Sequence, residues 1–148
     1  MSQTKRRVLL VDDEPSIVKT VGKRLELGGY EVLTAMDGQD GLAKARLGKP
    51  DVIILDLMMP KMSGFEVCAA LKKDPQCRQI PIIIFTGKGQ EMDEKLCREL
   101  GADAYISKPH QAAALLEEIE ALLSRTLSHP PTDDSAPPSE PSGPERSS

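Results

Sequence analysis

DVIILDLMMP, residues Asp51 to Pro60, sets four apolar residues, Val52 to Leu55, directly before a carboxylate, Asp56. The run is short, apolar throughout and rich in β-branched side chains, which suits a strand buried on both faces of a sheet. A charge at the end of such a strand is costly unless it is paired or bound to a cation. Asp56 is therefore either a turn-former or the floor of a site, and the rest of the chain decides between them.

Similar runs recur: VLLV (Val8 to Val11), EVLTA (Glu31 to Ala35), IPIIIFT (Ile80 to Thr86) and AYIS (Ala104 to Ser107). Between them lie residues at helical spacing: Ile17, Val21 and Leu25; Leu42, Ala45 and Leu47; Val67, Cys68 and Leu71; Met92, Leu96 and Leu100; then Leu115, Leu116, Ile119, Leu122 and Leu123. Pro15 suits the first turn of the first helix, and Gly28, Gly29, Gly48 and Gly101 stand where helices should stop. Five strands alternating with five helices, several strands being continuous apolar runs, predict an α/β fold: a doubly wound parallel sheet with helices on both faces. The expected domain is residues 1–127. Residues 128–148 are rich in Pro and Ser and lack Leu, Ile, Val and Phe, so they are read as a disordered tail.

The bulk composition agrees. The chain has 148 residues, 39% hydrophobic and 28% charged, with a formal net charge of −4. That is enough apolar material for one domain with a core, and the acidic balance gives no footprint for nucleic acid. No apolar run approaches the roughly 18 residues of a membrane span, and no apolar h-region follows the basic N-terminus. A soluble, cytoplasmic protein is expected. Cys68, Cys77 and Cys97 are odd in number and widely spaced, which favours reduced thiols over a disulfide framework or a zinc site.

In open parallel sheets ligands bind beyond the carboxyl ends of the strands. Here those ends carry Asp12 and Asp13, then Asp56, then Thr86, then Ser107 and Lys108. Each has an ordinary reading by itself: acidic residues before a helix, a turn residue, a cap, a surface lysine. Jointly they load one sheet edge with three carboxylates, a hydroxyl and an ammonium. The carboxylates would repel one another unless a hard divalent ion joined them, and Mg²⁺ takes carboxylate, carbonyl and phosphate oxygens. A neutral donor and a cation then remain to meet the oxygens of a phosphoryl group.

With VLLVDDE, DVIILDLMMPKMSG, IPIIIFTG and DAYISKP in this order and spacing, residues 6 to 126 resemble the receiver domain of two-component response regulators, and among those a stand-alone receiver similar to the chemotaxis regulator. The resemblance implies a flavodoxin-like sheet of order 2-1-3-4-5, which is the order the chemotaxis regulator itself exemplifies. It implies that Asp56 accepts a phosphoryl group from a phosphohistidine on a sensor histidine kinase or histidine phosphotransfer protein. Asp12, Asp13, Asp56 and the Met58 backbone carbonyl would hold Mg²⁺, and Thr86 and Lys108 would contact the phosphoryl oxygens. Thr86 and Tyr105 would be the switch pair, and a downstream protein would read the face made by helix 4, strand 5 and helix 5. The implied protein is a phosphoacceptor switch rather than an enzyme, signalling through protein partners without direct contact with nucleic acid or membrane.

Two other readings compete. A haloacid-dehalogenase-like phosphatase also uses a strand-end Asp with Mg²⁺, but it needs a second Asp two residues on as acid and base, where this chain has Met58. A flavodoxin-like or degenerate receiver that docks partners without chemistry is the other, and the full set of polar residues argues against it.

Overall fold

The computed structural model describes residues 5–59, 61–87, 91–107 and 112–128. Lys108 and residues 129–148 of the expected tail lie outside the described residues. Strand and helix alternate as β1 (Arg7–Val11), α1 (Pro15–Leu27), β2 (Glu31–Ala35), α2 (Gly38–Gly48), β3 (Val52–Leu55), α3 (Gly64–Lys73), β4 (Ile82–Thr86), α4 (Glu91–Glu99), β5 (Ala104–Ser107) and α5 (Ala112–Ser128). All strand pairs are parallel and the order is β2-β1-β3-β4-β5, as the resemblance implied.

The period of two in a strand sends alternate side chains to opposite faces, so the apolar runs feed two cores. Val8 and Leu10 of β1, Ile54 of β3 and Ile83 and Phe85 of β4 pack with Val21 and Leu25 of α1 and Leu115 and Ile119 of α5. Leu9, Val11, Ile53, Leu55 and Ile84 face the other way, against Leu42 and Ala45 of α2, Val67 and Leu71 of α3 and Cys97 of α4. Each fully buried Leu or Ile contributes about 1.5–3 kcal/mol relative to exposure, so both faces anchor the central strands. The sheet edge beyond β1, β3 and β4 is held in place by this packing.

Two readings of the helices need correction. Leu47 is exposed, because Leu42 and Ala45 already fill the inward stripe of α2 and Leu47 falls on its far side. In α4 the fully buried position is Cys97, while Leu96 is partly exposed. α2 stops at Gly48, as the sequence predicts, and Lys49 follows it in the left-handed conformation, with φ 46°. A Cβ on Gly48 would lie 2.6 Å from Leu33 Cδ1, the movable end of a side chain on β2. Pro15 opens α1 and Gly101 follows the end of α4, both as the sequence predicts, and Gly101 has φ 110°.

The three cysteines are free and buried. Burial pushes the Cys68 thiol up to about 11 and the Cys97 thiol up to about 12, and it raises Cys77 as well. Thiolate is the reactive form. Native protein at pH 8 is therefore expected to leave all three unlabelled by iodoacetamide, and urea-unfolded protein to label fully. Rapid labelling of any thiol in the native state, read by intact mass, would contradict this packing.

Candidate functional site

The register decides which polar residues meet. Val11 of β1 pairs with Leu55 of β3, and Leu55 pairs with Ile84 of β4, so the next residues, Asp12 and Asp56, end adjacent strands at one level. Backbone bonds extend the ladder past the strands, with Asp56 N–H donating to the Val11 carbonyl (3.0 Å) and Asp12 N–H to the Ala35 carbonyl (3.0 Å). Thr86, two residues after Ile84, closes β4 opposite Ser107 of β5. Sheet geometry thus brings Asp12, Asp56 and Thr86 to the same edge.

All three are deeply buried, with relative exposures of 1%, 5% and 0% for Asp12, Asp56 and Thr86. They are the polar residues found buried among the described ones, and the cost of burying carboxylates makes their shared location informative. Asp12 Oδ1 accepts the Glu14 N–H at 2.9 Å, which ties that carboxylate to the turn entering α1. Asp56 Oδ1 accepts the N–H of Leu57 at 2.9 Å. Asp13 is half-buried beside them.

One carboxylate oxygen from each of Asp12, Asp13 and Asp56 lies within 4.8 Å of the others. Three negatively charged oxygen donors at that spacing, partly withdrawn from water, suit a hard divalent cation that completes its shell with water or a carbonyl. The donor set fits Mg²⁺. Soft-metal chemistry has no matching group among the described residues, since the cysteines are buried in the apolar core.

Tyr105 lies on β5 opposite Ile84 and packs against the core beneath α2, α3 and α4. Its hydroxyl is shut off from solvent with no hydrogen-bond partner among the described residues. Burial, with Asp93, Cys97 and Glu94 nearby, pushes its phenol up to about 12. A buried hydroxyl without a partner costs about 1–3 kcal/mol, so this ring position is held by packing of the aromatic body. Met58 is about half exposed, and the Lys108 assignment lies outside the described residues.

Sequence reasoning passed over the residues that shape the connection from β3 to α3. Ser63 accepts the Glu66 N–H and the Glu66 carboxylate accepts the Ser63 N–H, a reciprocal cap that fixes where α3 begins. The spacing S-x-x-E in SGFE was the available signal. Gly64 N–H donates to the Leu57 carbonyl at 2.9 Å, and a Cβ there would collide with the Asp56 carbonyl oxygen and come within 2.7 Å of Leu57 Cα. Nothing in one sequence marks that glycine as a close backbone approach.

Residues 8–120 match the family profile described as the response regulator receiver domain. The chain is 44% identical over 121 residues to the alkaline phosphatase synthesis transcriptional regulatory protein PhoP of Bacillus subtilis, covering 82% of this chain and 50% of that protein. It is 42% identical over 118 residues to protein PilH of Pseudomonas aeruginosa, covering 80% of this chain and 98% of that one. It spans about half the length of several curated relatives it matches. Among solved structures, a CheY-like receiver domain protein from Methanospirillum hungatei superposes with a TM-score of 0.81 at 31% identity, covering 86% of this chain and all of that one. Chemotaxis protein CheY4 of Vibrio cholerae does so with a TM-score of 0.76 at 36% identity, covering 80% of this chain and 98% of that one.

Proposed function

The chain belongs to the response regulator receiver family, the phosphoacceptor switch of two-component signalling, and on that premise we propose that Asp56 is the residue that takes the phosphoryl group. The observation that carries this reading is the meeting of Asp56 with Asp12 and Asp13 within 4.8 Å at the end of the central strands. The donor is a phosphohistidine of a sensor histidine kinase or a histidine phosphotransfer protein. An Asp56 oxygen attacks phosphorus in line, the phosphorus–nitrogen bond breaks, and the imidazole leaves with a proton.

Asp12, Asp13, Asp56 and the Met58 backbone carbonyl hold Mg²⁺ in this reading. When bound, the ion neutralises the charge that gathers on the phosphoryl oxygens. The chain's own contribution is positional: the β1 and β3 ends fix the carboxylates, and burial keeps the acceptor from being solvated on all sides. Thr86 and Lys108 contact the transferred group. Thr86, fully buried at the end of β4, and Tyr105, whose hydroxyl lacks a partner among the described residues, form the pair that reports it. Output passes to a downstream protein at the face of α4, β5 and α5, where β5 is the edge strand. The setting is the cytoplasm; no described helix is long and apolar enough to cross a membrane.

Thr86→Ala separates uptake from output. The variant is expected to accept a phosphoryl group from a small phosphodonor and Mg²⁺ while losing the phosphorylation-dependent gain in partner affinity, since its contact exists only in the phosphorylated state. Full retention of that gain would contradict the switch assignment.

A further inference from the structure

The connection that follows Asp56 is gripped on two sides. On the strand side, Gly64 lies directly against the Asp56 carbonyl and donates its N–H to the Leu57 carbonyl. On the other side lies the N-terminus of α2. A Cβ on Gly38 would collide with the Met62 carbonyl oxygen and stand 2.8 Å from both Met62 Cβ and Val67 Cγ2. Contacts this close leave no room for a side chain, and the obstructing atoms include backbone that cannot swing aside.

The neighbouring residues add a second hold. Lys61 has φ 70°, a left-handed conformation that costs a lysine about 1 kcal/mol and needs support from its surroundings. Its Nζ reaches Asp37 Oδ2 at 3.5 Å. Asp37 is the N-cap of α2, its Oδ1 accepting the Asp40 N–H at 2.8 Å. The Asp40 amide holds the Asp37 carboxyl below the usual carboxylate range, and Lys61 adds to this, so the anion that faces Lys61 persists at neutral pH.

We propose that the Asp37–Gly38 corner of α2 is a positioning element for the phosphoacceptor site, holding the β3–α3 connection so that the Met58 carbonyl is set for the divalent cation. The proposal rests on the reading of Asp12, Asp13, Asp56 and Met58 as the cation's ligands. It adds residues outside that set, from a helix that supplies no ligand. Residues that orient a metal ligand from behind change metal affinity by about 10- to 100-fold when replaced.

The test uses the full chain, with Mg²⁺ binding measured by calorimetry and hydrogen exchange followed at the Gly64 amide. Gly38→Ala is expected to weaken Mg²⁺ binding about tenfold. Gly64 exchange should quicken, and uptake of phosphoryl groups should fall at limiting Mg²⁺ and recover at saturating Mg²⁺. Asp37→Asn keeps the cap acceptor and removes the charge, and is expected to weaken Mg²⁺ binding about threefold, the scale of a surface ion pair. Wild-type Mg²⁺ affinity in a folded Gly38→Ala protein would overturn the proposal, whatever its melting temperature. Should Gly38→Ala fail to fold, unchanged affinity in Asp37→Asn would overturn it. Wild-type protein that binds no Mg²⁺ would overturn the ligand reading and this proposal with it, while the Gly64 exchange rates would still report whether the corner holds the loop.

Discussion

Asp12→Asn is expected to reduce phosphoryl uptake at Asp56 by about a hundredfold or more, the scale of losing one preorganised electrostatic partner of a transition state. The same change should leave the metal-free protein as stable as the wild type or more so. Asp12 is 1% exposed and shares its surroundings with two other carboxylates. An amide removes one of the three negative charges while its oxygen still accepts the Glu14 N–H. Relief of like-charge repulsion at this spacing is worth about 1 kcal/mol or more in a partly solvated site. Urea unfolding in chelator at pH 7, beside uptake in saturating Mg²⁺, measures the two effects. Lower stability in Asp12→Asn would mean that the carboxylate serves as a structural anchor, and unchanged uptake would remove it from the site.

Gly64→Ala is expected to cost about 3 kcal/mol or more, beyond the usual range for one added methyl group. The methyl would collide with the Asp56 carbonyl oxygen and Leu57 Cα, both backbone atoms of the segment that carries Asp56. Relaxation has to move either α3, whose start is pinned by the Ser63–Glu66 cap, or the end of β3, which lies in the middle of the sheet. Denaturant melts compare the variant with wild type. A loss under about 1 kcal/mol would show that the β3–α3 connection yields easily, against the rigidity assigned to it.

The parallel sheet was legible because β1, β3 and β4 are apolar on both faces, a pattern that has few explanations other than helices on each side. Asp12, Asp56 and Thr86 were legible for a related reason: each follows or ends such a run, and parallel pairing carries all strand ends to one edge. Less visible was anything set by close approach across the fold. Gly38 and Gly64 carry no signal of their own in the sequence, whereas in the fold each admits backbone from a neighbouring element. Leu47 shows the opposite failure. Its apolar character suggested burial, but the angle it takes on α2 points it to solvent. The left-handed turn at Lys49 had no signal in the sequence, because a lysine rarely takes that conformation.

The most direct test of the account is the location of the phosphoryl group. The protein would be treated with a small phosphodonor and Mg²⁺, the product reduced with borohydride, which converts an aspartyl phosphate to homoserine, and its peptides sequenced by mass spectrometry. The account predicts homoserine at position 56, absent when divalent metal is removed. Homoserine at Asp12 or Asp13, an acid-stable phosphate on a hydroxyl, or labelling of position 56 undiminished by chelator would contradict it.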